Sequence, residues 1–347
     1  MHFLTKQKTG ATPTVDKYFR VAMADLIRPQ RLWRRLPGHH ARPVRQLGPH
    51  LFATEAAAVL VRHCTKYELQ TLEKLRPEKC FYVIDDDLPA IVQDSALPPD
   101  YRRRTQAFME DMLPRILRLC HAVVAPTPEI LRHYAATHET CLLEPAAVHI
   151  RDDFRHFDTA ENFTIVFMGT RAHLADLNMI APALADFCRD HPDARLMTFL
   201  GRHAPRQLRN LPNIKHLRPR RWPAFHRLIM RKAWHAALAP MRDTQVNRAR
   251  SFNKLLDHAA VGAAGLYSAE SCPAITRVVR HGEHGLLVDN SPEAWRAALE
   301  EIHRNRTLAQ RLARNAARLA GELGSSVRCR RFWLQRLCPD TSLHLPS

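Results

Sequence analysis

Short continuous apolar runs alternate along this chain with segments whose apolar residues recur at helical spacing. Residues 56–61 (AAAVLV), 80–84 (CFYVI) and 122–125 (AVVA) are runs of strand length, and 67–75 and 101–118 read as helices between them. A further helix starts at Glu129, behind Pro126-Thr127-Pro128. Unbroken apolar runs mark strands covered on both faces, and their alternation with helices predicts a mainly parallel sheet. A polar segment, 144–162 (EPAAVHIRDDFRHFDTAEN), reads as a linker, after which the pattern restarts. Strands are predicted at 164–168, 195–200, 213–217, 236–240, 264–268 and 285–288. Helices are predicted at 175–189, 222–230, 252–260 and 274–281. Two more close the chain: one enters through Asn290-Ser291-Pro292, with proline in its first turn, and the other spans 307–323.

The pattern therefore predicts two α/β halves with a cleft between them. Residues 1–150 form the first, with 1–50 irregular apart from a helix at 14–27. Residues 151–326 form the second, and a last segment, 327–347, packs back on the first. Ligands of open α/β sheets gather at the carboxyl ends of the strands, so chemistry is sought in the loops that follow the apolar runs.

Composition narrows the classes. With 347 residues, 46% hydrophobic and 25% charged, the chain has globular proportions, and wholesale disorder is excluded. No apolar run is long enough for a transmembrane helix, and MHFLTKQKTG lacks the apolar core of a signal peptide. Eight scattered cysteines with no C-x-x-C pair read as reduced thiols of a cytoplasmic protein. The formal charge of +18 calls for an anionic partner: a phosphate group, nucleic acid or an acidic membrane face. Its densest acid-free stretch, 28–45, holds Arg28, Arg31, Arg34, Arg35, Arg42 and Arg45, and reads either as solvated surface or as peripheral contact with an anionic membrane. Glycine is scarce (11 residues), and neither G-x-G-x-x-G nor G-x-x-x-x-G-K-[ST] occurs. No helix-turn-helix, zinc-finger or RNP pattern is present, so no specific nucleic-acid partner is expected.

Three strand ends carry candidate chemistry. Asp85-Asp86-Asp87 follows 80–84; it reads as a helix-capping turn, as an acceptor contact or general base through Asp86, or as a metal site. His63 follows 56–61 and is a second acceptor-side candidate, or a capping loop residue. Gly169-Thr170-Arg171 follows 164–168, with His173 and Asp176 beside it; a guanidinium there suits a phosphate or is an ordinary loop arginine. Further on, Ser251 reads as the N-cap of the helix at 252–260. That helix start would aim free N–H groups at a diphosphate, with Lys254 one turn in and Asp257 a turn further along the same side. Alone, Lys254 and Asp257 read equally as a surface ion pair.

The stretch 251–288 (SFNKLLDHAAVGAAGLYSAESCPAITRVVRHGEHGLLV) resembles the donor-binding segment of GT-B glycosyltransferases. It is most similar to the retaining group related to glycosyltransferase family 4, the glycosyl transferases group 1. Lys254, Asp257, Ala260, Gly262, Ser268, Val279, Gly282 and Gly285-Leu286-Leu287-Val288 fall in register with that pattern. Looser correspondence extends from about residue 55 to about residue 320. Of the family's two glutamates eight positions apart, Asp257 replaces the second and Ala249 stands at the first. Arg250-Ser251-Phe252 replaces the glycine-containing turn, giving an S-x-x-K-x-x-D variant.

The resemblance implies two Rossmann-like domains facing each other across a cleft, and transfer of a sugar from a nucleotide-sugar donor to a glycan, lipid-linked saccharide or similar hydroxyl. It implies no cofactor and no required metal. Gly169, Arg171, His173, Ser251, Asn253, Lys254 and Asp257 would bind the donor, and Lys254, Asp86 and His63 would be catalytic. An inactive nucleotide-sugar-binding protein, favoured by Ala249, and a basic nucleic-acid-binding protein stand as alternatives.

Overall fold

The computed structural model describes residues 12–28, 42–159 and 162–338. They form two compact units. The first unit combines the chain up to Asp85 with Phe108–Ala146 and the chain from Ser325; the second combines Asp86–Ala107 with Ala147–Gly324. Residues 86–107, read from sequence as part of the first half, thus cluster with the second unit, where Ala90, Ile91 and Leu97 pack with Val246.

The first unit holds a seven-stranded sheet in simple chain order: β1 Ile27–Arg28, β2 Val44–Gln46, β3 Leu51–Ala53, β4 Ala57–Val61, β5 Lys79–Val83, β6 Ala122–Ala125 and β7 Glu139–Leu142. β2 to β4 pair antiparallel, and β4 to β7 pair parallel. Parallel neighbours joined in sequence by right-handed crossovers carry all their connections on one face. The opposite face needs another cover. It is supplied by the helical stretch Pro13–Val15, Asp16–Arg20, Val21–Met23, whose middle is a π turn, and by helix Ser326–Leu337. Phe19 lies 4.5 Å from Phe52 between ring centroids, and the fully buried Trp333 lies 5.3 Å from Phe19. The indole N–H of Trp333 donates to the Tyr18 carbonyl at 2.6 Å, satisfying its one buried polar atom.

The second unit holds six parallel strands: β8 Phe163–Phe167, β9 Ala194–Thr198, β10 Ile214–His216, β11 Ala236–Ala239, β12 Ala264–Ser268 and β13 Leu286–Val288. Their order is β10-β9-β8-β11-β12-β13. This is the doubly wound order, whose winding reverses between β8 and β11. Alternate strand residues serve two cores. Phe163, Ile165, Leu238 and Leu266 pack with helices Leu174–Asp190, Pro292–Arg304 and Arg306–Leu323, whereas Val166 and Ala237 pack with Ile229 and Trp234. Gly262 turns with φ +66°, and a Cβ there would stand 2.5 Å from Arg151 Cδ.

Most of the predicted elements occur within a residue or two of their expected ends. Ser291 caps Pro292–Arg304 by accepting from the Ala294 N–H at 3.1 Å, a contact worth about 1 kcal/mol. Three differences have physical causes. The predicted helix at 101–118 is broken into Pro99–Ala107, a π turn Phe108–Met112 and Leu113–Leu119, since Pro114 has no N–H to donate. The helix expected at 274–281 is only Pro273–Thr276, because the chain turns back on β13, where His281 Nδ1 accepts from the Leu287 N–H at 3.1 Å. Within 1–50, taken as irregular beyond one helix, β1 and β2 are present; they are too short for a periodicity to register. Arg28 and Arg42 clasp the β1–β2 pair by donating to the Arg42 and Ile27 carbonyls respectively. The rest of the basic stretch, 29–41, with Arg31, Arg34 and Arg35, lies outside the described residues. All eight cysteines are free thiols, and among the described residues no helix is long and apolar enough to cross a membrane.

Candidate functional site

The carboxyl ends of β8 and β11 define the reversal point of the second sheet, where a doubly wound fold leaves a crevice. After β8 the chain passes through Met168 and Gly169 into a short turn, Arg171–His173, and helix Leu174–Asp190. Gly169 is required there: a Cβ would stand 2.3 Å from Phe167 Cζ and 3.1 Å from His173 Cβ. Lys254, in the first turn of helix Asn253–Ala260, reaches back and donates from Nζ to the Met168 carbonyl at 2.9 Å. An ammonium from one element is thereby held at the end of β8.

Asp176 joins the loops on either side of the reversal. Its carboxylate is buried, accepts from the Arg242 backbone N–H and from Asn247 Nδ2 at 3.0 Å each, and lies 3.4 Å from both the Arg242 guanidinium and His173 Nδ1. Burial pushes the Asp176 pKa up, but the His173 contact, the Arg242 N–H and the Arg250 charge outweigh it, and the net shift is downward. His173 is driven the other way from a histidine's preferred charged partner. Desolvation first, then the Arg250 and Lys254 charges, pull its pKa down to about 4, so its imidazole is neutral at pH 7. The depressed value reports burial first and the charges of Arg250 and Lys254 after it. Arg250 Nε donates to Asn247 Oδ1 at 2.9 Å, and Arg242 pairs with Asp94 at 3.1 Å.

Gly169, Arg171, His173 and Lys254 therefore meet at one edge of the second unit. Arg171 is half-exposed and pairs with Asp100 Oδ1 at 3.2 Å, a carboxylate from helix Pro99–Ala107. Ser251 is not the helix cap: Phe252 occupies that position, with φ −74° and ψ 23°, because its ring is anchored in the core at 1% exposure. Ser251 is buried just before it, and Asn253 and Asp257 are half-buried along the helix. The charge of Asp257 is felt by Tyr267, which stacks on His258 at 4.9 Å. Arg242 and Arg250 were missed from sequence. Arg242 follows the 236–240 run as closely as Arg171 follows 164–168, so the same strand-end rule could have found it.

The three consecutive aspartates diverge rather than converge. Asp85 accepts from Thr14 Oγ1 at 2.8 Å and pairs with Arg62 at 3.4 Å in the first unit. Asp86 accepts from the Tyr101 hydroxyl at 3.5 Å in the second. Asp87 caps helix Leu88–Gln93 through the Ala90 N–H at 3.0 Å. The capping reading thus holds for Asp87 alone. His63 packs edge-on against Phe108, 4.5 Å between ring centroids, in the first unit. The preceding residue, Arg62, sits at φ +57°, a conformation costing a non-glycine residue about 1 kcal/mol or more.

No family model matches the sequence, and no curated protein matches it. Solved structures do. Anabaena HepE, crystallised with UDP and glucose, aligns at 12% identity over 81% of this chain and 78% of its own, with a TM-score of 0.55. A sucrose-phosphate synthase from Thermosynechococcus elongatus aligns at 15% identity over 78% and 70%, with a TM-score of 0.53. The fold is GT-B. A glycosyltransferase from Rickettsia africae aligns at 10% identity over 82% and 77%, with a TM-score of 0.50. In GT-B terms, the second unit is the doubly wound sheet whose reversal point carries Lys254 and Arg250, and the first is the mixed sheet covered by helix Ser326–Leu337.

Proposed function

We propose that this chain is a glycosyltransferase that uses a nucleotide-sugar donor. The observation that carries the reading is the Lys254 Nζ contact with the Met168 carbonyl, which fixes a cation at the reversal point of a doubly wound sheet. Cleavage of the donor's glycosidic bond leaves negative charge on a departing diphosphate. Preorganised cations and N–H groups aimed at that position lower the barrier, because they need no reorganisation as charge develops. Lys254, Arg250 and Arg171 supply the cations, and helix Asn253–Ala260 supplies N–H groups. Asp257, half-buried on that helix, is the proposed acceptor for ribose hydroxyls. HepE was solved with UDP-glucose, which supports a uridine donor as the first to test.

On the acceptor side, Asp86 and His63 are the proposed bases for a glycan or lipid-linked hydroxyl. The basic stretch 28–45 is the proposed contact with an anionic membrane at the cytoplasmic face, in polysaccharide or glycoconjugate synthesis. No metal or other cofactor enters the scheme.

The test is incubation with a panel of nucleotide sugars, following release of nucleoside diphosphate. One donor is expected to be turned over, and Lys254→Ala to lower turnover more than tenfold with unchanged circular dichroism. Unchanged turnover removes Lys254 from the mechanism. Ala249, buried at 1% exposure, leaves a methyl where the family pattern has a glutamate. Donor binding with no diphosphate release would make the chain a nucleotide-sugar-binding protein instead.

A further inference from the structure

At the amino edge of the second sheet, away from the nucleotide-facing loops, two histidines and two carboxylates from two helix ends and a turn converge. His191 ends helix Leu174–Asp190, and Asp193 precedes the first residue of β9. Glu300 and His303 sit three residues apart on helix Pro292–Arg304, which places them on one face. His303 Nε2 is 2.8 Å from Asp193 Oδ2, and His191 Nε2 is 2.9 Å from Glu300 Oε1. One ligand atom each of His191, Asp193 and His303 lies within 4.8 Å of the other two.

We propose that His191, Asp193 and His303, backed by Glu300, bind a divalent transition metal of the zinc class. Zinc–ligand bonds of about 2.0–2.1 Å in a tetrahedron set ligand atoms about 3.3 Å apart, a spacing between the 2.8 Å His303–Asp193 contact and the 4.8 Å that bounds the three ligand atoms. Imidazole is the borderline donor that such an ion prefers, carboxylate a harder one it also binds, and three protein ligands leave a fourth position for water. Glu300, itself paired with Arg304 at 3.1 Å and Arg296 at 3.5 Å, holds His191 Nε2 at 2.9 Å, so His191 would ligate through Nδ1 with that carboxylate as its orienting contact. The floor is apolar: Phe187 lies 4.6 Å from the His191 ring, and Phe163 lies 5.2 Å from the His303 ring. The backbone is rigid, since the Phe163 N–H donates to the Asp193 carbonyl at 3.1 Å and the His191 N–H to the Phe187 carbonyl at 3.0 Å.

The metal would staple the end of one helix to the last turn of another. The length of β9 separates the cluster from the carboxyl edge by about 15 Å, so the proposal is independent of the donor site and of the reaction assigned to it.

The test uses the full chain, stripped with a chelator, dialysed, and reloaded with Zn(II) alone. About one retained zinc per chain and a raised melting temperature are expected. His303→Gln and Asp193→Asn should each weaken zinc affinity at least tenfold and abolish the thermal shift. Glu300→Gln should weaken affinity about 10- to 100-fold while keeping one-to-one binding. If His303→Gln does not fold, Asp193→Asn decides, since it preserves side-chain shape at a half-exposed position. No retained zinc in the parent chain, or equal retention by Asp193→Asn, overturns the proposal and leaves two metal-free histidine–carboxylate pairs.

Discussion

Two buried histidines of the second unit, His235 and His258, and the largely covered His173 carry a testable pH signature. His173 and His235 are depressed to about 4, and His258 to about 3, each chiefly by desolvation. His235 is held neutral by burial and by the neighbouring His156, against the pull of Nε2–H donating to the His156 carbonyl at 2.8 Å; its Nδ1 accepts from the Thr164 N–H at 3.0 Å. In the unfolded chain each returns to an ordinary value near 6.5, so below that pH the unfolded state binds more protons than the folded one. Their stabilisation is complete above pH 6.5 and is lost as the pH falls toward 4. The slope is about 1.4 kcal/mol per pH unit for each fully depressed histidine. Urea midpoints between pH 7 and 4 should fall steeply, and His235→Gln should flatten that fall relative to the parent. An equal slope in both would remove His235 from the account.

Among elements, helix Ser326–Leu337 has the largest single task. Its Trp333 covers a sheet face that sequential winding leaves bare, against Phe19 and, 6.1 Å away, Phe81. Trp333→Ala should cost about 3–5 kcal/mol, the range for deleting a buried aromatic. Hydrogen exchange should show the loss in β3 to β6 while protection of β8 to β13 persists; uniform loss would mean that the units unfold as one. The sequence set 327–347 apart as a closing segment without announcing a helix; what it announced was the repeated strand–helix pattern. It did not announce β1 and β2, at two and three residues too short for a period of two. Nor could it distinguish capping from chemistry in Asp85-Asp86-Asp87, whose three side chains part because the chain bends at Asp86 between the end of β5 and helix Leu88–Gln93. Of the candidate donor residues, Lys254, Arg171, His173 and Gly169 were legible as strand-end and motif positions. Asp176, the buried link between two loops, stood out only as a neighbour of Arg171, because a hub is defined by contacts distant in sequence.

For the whole molecule, the surplus charge is unevenly spread. Residues 194–242 contain twelve lysines and arginines and no aspartate or glutamate, so the β9–β10 side of the second unit is strongly basic beyond the stretch 28–45. Arg218, Arg220, Arg221, Arg227 and Arg231 are exposed there, and Met230 is 44% exposed beside them. Sedimentation with vesicles should show binding to anionic but not zwitterionic lipid, weakening as salt shortens the screening length below about 10 Å. Replacing the arginines of 28–45 with glutamine should reduce that binding several-fold. If it does not, the proposed membrane contact through 28–45 fails.

The interleaving of the units also dictates an order of assembly. Nearly all of the second unit lies within one unbroken span, 147–324, whereas the first needs its earliest helix and the helix from Ser326 together. On a ribosome the first unit's strands emerge early, yet one face of their sheet is covered only by the stretch 13–23 until Trp333 has been translated. The earliest part of this chain to be made is thus among the last to finish folding. Until then, the side of Phe19 and Phe81 that Trp333 covers stays exposed, and such transiently exposed apolar surface is prone to aggregate.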